Sequence, residues 1–103
     1  MNSLIDISQE MQSRLEAICD NVYFQPPSNI KMEYPCILYS RDRIENKHGN
    51  NHVYIQNHRF QVTVIDKDPD SEITNKLSKF DKCEFDRRFI TDNLYHDVFT
   101  LYY

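Results

Sequence analysis

The chain has 103 residues, enough for one domain spanning 1–103 and too few for two full-sized cores. Apolar residues make up 40% and aromatic residues 13%, more than a disordered tail or a collagen-like repeat carries. Twelve basic residues against sixteen acidic ones leave a net charge of −4, which argues against nucleic-acid specificity, because that binding needs surplus Lys and Arg to displace counterions. No apolar run approaches the roughly 20 residues that span a bilayer, and residues 1–6 lack the basic and apolar regions of a signal peptide. Neither a membrane partner nor export is expected.

Residues 4–20 read as a helix. Leu4, Ile7, Met11, Leu15 and Ile18 recur at steps of three and four, on one stripe. Asp6, Gln9, Glu10, Gln12, Ser13 and Glu16 fall on the other side, which is expected to stay wet. Residues 22–25 are rich in strand formers and end at Pro26 and Pro27. Residues 28–35 form a connector, with Tyr34-Pro35 in an extended or turn conformation.

A strand is predicted from Cys36 to Arg41 or Ile44, then a polar turn or loop over 45–51. A longer strand follows over 52–65, where Phe60, Val62 and Val64 alternate with Gln61 and Thr63. The short link between the two predicts an antiparallel hairpin. Asp68 suits a helix N-cap and Pro69 a first helical position, with Ile73, Leu77 and Phe80 as the apolar stripe of about ten residues ending near Asp81. Residues 83–90 form a strand, Asp92-Asn93 a turn, and residues 94–103 a last strand expected inside the sheet. The fold class is α+β, in the order α-β-β-β-α-β-β, a mainly antiparallel sheet with two helices packed on one face.

The search for chemistry returns structural readings. Cys19, Cys36 and Cys83 are odd in number and lack a CxxC, and are read as reduced, buried thiols. Gly49 is the sole glycine, which excludes Gly-rich phosphate loops. Asp66, Asp68, Asp70 and Glu72 resemble the start of a calcium loop, but its sixth and twelfth positions hold Ser71 and Leu77 instead of Gly and Glu. Helix capping is the expected role. Pro69-Asp70 lacks the downstream Glu-x-Lys of a metal-dependent nuclease. His48 and His52 have a metal-pair spacing only if helical, and here they flank a turn. His96, beside Asp97, has no apparent nucleophile and reads as structural. No catalytic residue, metal or cofactor is expected, and the protein reads as a non-enzyme.

Two features suit protein contacts. Seven Tyr and six Phe are heavy for this length, so some of Tyr23, Tyr39, Tyr54, Tyr95, Tyr102 and Tyr103 are expected at the surface. Charge is uneven: Arg41, Arg43, Lys47, Arg59 and Lys67 outnumber Asp42, Glu45 and Asp66 over residues 41–67. Asp6, Glu10, Glu16 and Asp20 outnumber Arg14 in the first 20 residues. Opposed patches suit a head-to-tail contact.

The run from Phe60 through Asp66 and Pro69 to Ile73 is distinctive. So is Cys83, Phe85, Asp86 and Arg87, followed by Thr91, Asp92, Asn93, Leu94, His96, Asp97, Val98, Phe99 and Thr100. With Tyr34-Pro35 and the long strand pair, residues 20–103 resemble the small tail-completion proteins (tail terminators, or minor capsid-tail joining proteins) of long-tailed bacteriophages and prophages of Gram-positive bacteria. The resemblance implies a structural virion protein at the head–tail junction, present in host cytoplasm during assembly. It implies a self-assembled ring, hexameric in the family, whose partners are the tail tube protein and a head-completion or connector protein. Arg43, Glu45, Lys47, His48 and Asn50, at the hairpin tip, are the expected partner-contacting residues. The alternative is a small phage-derived binding module acting on a host protein.

Overall fold

The computed structural model describes the backbone of residues 4–26, 31–50 and 52–103, and the side chains of these except residues 4–8 and 52–56. The elements are α1 (Leu4–Glu16), β1 (Val22–Phe24), β2 (Cys36–Gly49), β3 (His52–Asp66), α2 (Glu72–Leu77), β4 (Cys83–Thr91) and β5 (Leu94–Tyr102). Type and order match the expectation, and the fold is α+β. The strands form one sheet in the order β1-β2-β3-β5-β4. β1 runs parallel to β2, and every other pairing is antiparallel. The last strand lies inside the sheet, between β3 and β4.

Both helices contribute to one core. Met11 and Leu15 of α1 and Leu77 of α2 are fully buried with Ile37, Tyr39, Phe60, Val62, Val64, Phe99 and Leu101 from one sheet face. Alternation along the strands produces this face, since successive residues point to opposite sides. Ile18 packs against the same cluster. The side chains of Leu4, Asp6 and Ile7 lie outside the described residues, as do Pro27 and residues 28–30 of the connector. The opposite face carries a smaller cluster of Cys36, Ile65 and Leu94, with Tyr23, Met32 and Leu38 against it.

Several expected boundaries move. α1 ends at Glu16, short of residue 20. Gln12 is not simply wetted: it accepts the Tyr39 hydroxyl at 2.6 Å and donates to the Val22 carbonyl at 3.3 Å. The Tyr39 ring is buried, and its hydroxyl needs a partner there. α2 begins at Glu72 with Ser71 as N-cap, so Asp68 and Pro69 precede the helix. Tertiary bonding explains this, because Arg88 donates to the Pro69 carbonyl at 2.7 Å and holds that turn outside the helix. The acidic run instead folds on itself: Asp66 accepts the Asp68 amide at 3.0 Å, and Asp68 accepts the Asp70 amide at 2.9 Å.

The largest correction concerns residues 45–51. Residues 45–49 are not a loop. β2 runs to Gly49 and pairs with β3 down to Gly49 opposite His52. Asn50 turns the chain with φ of 52°, a region asparagine tolerates. Asn51 lies outside the described residues. Asp92 and Asn93, with φ of 54° and 62°, form the matching tight turn between β4 and β5, as expected.

Candidate functional site

The β2–β3 hairpin outruns the rest of the sheet. β3 pairs with β5 only from Arg59 to Asp66, so residues 44–49 and 52–58 continue as a two-stranded arm. The molecule measures 52 × 25 × 22 Å along its principal axes, in keeping with such a projection. The arm root is braced. Arg59 donates to Asp42 at 2.9 Å, and His58, which is buried, exchanges backbone bonds with Tyr103 at 3.2 and 2.9 Å. Arg41 stacks over the Phe60 ring at 5.3 Å.

Of the five tip residues expected to meet a partner, four lie on this arm and Arg43 lies at its root. Arg43, Glu45, Lys47 and His48 are exposed on β2, and Asn50 is exposed at the turn. Arg43 pairs with Glu45 at 3.1 Å, an exposed contact worth little by itself. The side chains of His52 and Tyr54 lie outside the described residues. A wide, shallow hollow of about 490 Å³ opens at the arm root, lined by Glu45, Asn57, Lys82, Glu84 and Tyr102.

The other candidates occupy structural positions. Asp97 is buried, accepting Arg88 at 2.5 and 3.0 Å and the Thr74 hydroxyl at 2.7 Å. It faces away from its neighbour His96, whose ring stacks on Phe89 at 4.6 Å. Burial alone would raise the Asp97 pKa, but Arg88 and Thr74 outweigh it and hold the carboxyl below its usual range. All three cysteines are free thiols; Cys19 and Cys36 are buried and Cys83 is half-buried. Among the described residues, no group of three or more His, Cys, Asp or Glu side chains is placed to hold a metal ion, and no helix is long and apolar enough to cross a membrane.

One exposed feature was not anticipated from the sequence. β4 is an edge strand, and eight of its nine residues are exposed. Phe85, Phe89 and Ile90 lie on it at 55%, 42% and 61% exposure. Among the described tyrosines of the expected surface set, Tyr39 is buried and Tyr23, Tyr95, Tyr102 and Tyr103 are half-buried. The surface aromatics of the sheet edge are therefore mainly phenylalanines. Comparison with models of known protein families gives no match, and comparison with curated proteins gives none either.

Proposed function

We propose that the protein is a structural subunit of a long-tailed phage or prophage, a non-enzyme that caps the tail tube and helps join tail to head. In this reading, copies associate non-covalently into a ring, hexameric as the resemblance implies. The ring binds the last layer of tube protein and denies the next layer its docking face. A second surface then meets the head-completion or connector protein. The contact is one heterologous interface repeated around an axis.

The observation that carries this reading is the arm. A two-stranded projection with Glu45, Lys47 and His48 exposed along it, and Arg43 exposed at its root, is poorly explained by the needs of the core. It offers a surface beyond the helix-covered body, where a neighbouring subunit or tube layer can be gripped. Electron microscopy of particles from a lysogen lacking the protein tests the proposal. Overlong tail tubes and unattached heads are expected, and particles of normal tail length with heads attached would overturn it.

A further inference from the structure

The sheet has two long open edges. On one side, β1 covers β2 only at residues 37–39. From residue 42 to 49, no described strand pairs with the outer side of β2. On the other side, no described strand pairs with the outer side of β4 along its nine residues. At roughly 3.3 Å per residue these edges run about 26 and 30 Å, a matched length. Open edges of this length with exposed apolar side chains are templates for another strand. β1 presents a much shorter edge, three residues followed by Pro26.

We infer that the β2 edge of the arm in one copy pairs with the β4 edge of a second copy, so that the sheet continues from subunit to subunit. Direction supports this. β2 is antiparallel to β3, β3 to β5, and β5 to β4, so β4 runs opposite to β2. Copies pointing the same way therefore present each other an antiparallel pair, with their helix-covered faces on the same side. A β4–β4 or β2–β2 contact would instead need a two-fold axis and would stop at a dimer. β4 lies level with the body segment of β2, since Phe85 aligns through Phe99 and Val62 with Tyr39. Each copy is thus displaced along the strands relative to its neighbour, the stagger that tilts strands in closed barrels.

Charge gives a register. The bulge-free stretches are residues 43–47 on β2 and 87–91 on β4. Pairing Glu45 with Arg87 sets opposite charges across the seam and brings Arg43 opposite the exposed ring of Phe89. Through their partners Asn57, Val98, Arg59 and His96, these four residues belong to the helix-free face. The pairing replaces two exposed contacts within one strand, Arg43–Glu45 and Asp86–Arg87, with contacts between copies.

The inference deepens the tail-capping reading and rests on it for its purpose, but it is tested on purified protein. Ile44→Lys places a charge on the β2 edge and Ile90→Lys one on the β4 edge, both at exposed positions that the core does not use. Sedimentation analysis from micromolar to millimolar protein should show wild-type self-association. Each variant alone should associate about tenfold or more weakly. An equimolar mixture of the two should form dimers and stop there, because each partner keeps one intact edge. Amide exchange should show concentration-dependent protection in residues 43–47 and 87–91 together. A wild type that stays monomeric, either variant assembling like wild type, or protection confined to one edge would overturn the inference. Normal particles from the lysogen would sink the tail-capping reading while leaving the edge contact standing.

Discussion

Asp97 is the side chain on which several elements converge. It joins β5 to Arg88 of β4 and Thr74 of α2, and Arg88 in turn reaches the turn at Pro69. Removing one partner of such a pair leaves the other unmatched, but Arg88 is 36% exposed and water takes up part of the loss. Asp97→Ala is expected to cost about 2 kcal/mol in urea unfolding, below the usual range for a fully buried pair. Because the folded carboxyl lies below its usual range, this contribution is present above the unfolded-state pKa near 3.9 and is lost as pH falls through the folded value. His58 acts in a higher window. Burial, then the Arg41 charge, push its pKa down, so the folded state holds it neutral. Its contribution is present above about pH 6.5, the unfolded value, and declines below that by up to about 1.4 kcal/mol per pH unit. His58→Leu should flatten that limb of a stability–pH profile while leaving the carboxylate limb. The thiols give a third test. Burial pushes Cys36 up to about 12 and Cys83 up to about 11, and it also raises Cys19. Iodoacetamide at neutral pH should modify half-buried Cys83 slowly and the other two only on unfolding; rapid labelling of Cys36 in the folded protein would contradict the packing described.

At the scale of elements, the arm is separable from the body. Replacing residues 45–57 by Asn-Gly keeps the Ile44–His58 pair and the buried root while deleting the projection. The shortened protein should keep its circular dichroism spectrum and melt within about 8 °C of the parent, the equivalent of roughly 1 kcal/mol. The same element shows where sequence is informative. Phe60, Val62 and Val64 announced a half-buried strand because alternation follows burial. Residues 45–49 are polar throughout, and their strand is held by the ladder to β3, which leaves no trace in hydropathy. The start of α2 departs from the local capping signal for a related reason. Asp68 and Pro69 carry local capping chemistry, while the bond that keeps them outside the helix comes from Arg88. The five tip residues fall close together on one hairpin because they are neighbours in sequence. The β4 edge is not legible in the sequence because the exposure of Phe85, Phe89 and Ile90 follows from strand order, which one-dimensional patterning does not contain.

Over the whole molecule, the sheet is two local hairpins, β2–β3 and β4–β5, joined along β3 and β5, with short β1 added beside β2. The join runs from Arg59 opposite Tyr102 to Asp66 opposite Tyr95 and carries Phe60, Val62, Phe99 and Leu101 into the main core. Two residues separate the strands of each hairpin along the chain, whereas the join unites segments separated by α2 and β4. Loop-closure entropy therefore predicts that the zippering of β3 to β5 is the slow event on the way to the native state. Val62→Ala, which removes buried contacts at that line, should lose roughly 2 kcal/mol and show most of the loss as slower refolding in stopped-flow experiments. Ile90→Ala, at an exposed position on the outermost strand, should leave the refolding rate close to the parent's. A nascent chain would hold one finished ribbon while waiting for the second, so crowded synthesis favours marriage of the first ribbon of one chain with the second of another. Domain-swapped pairs, recognisable as dimers that dissociate only on denaturation, are the by-product this topology invites.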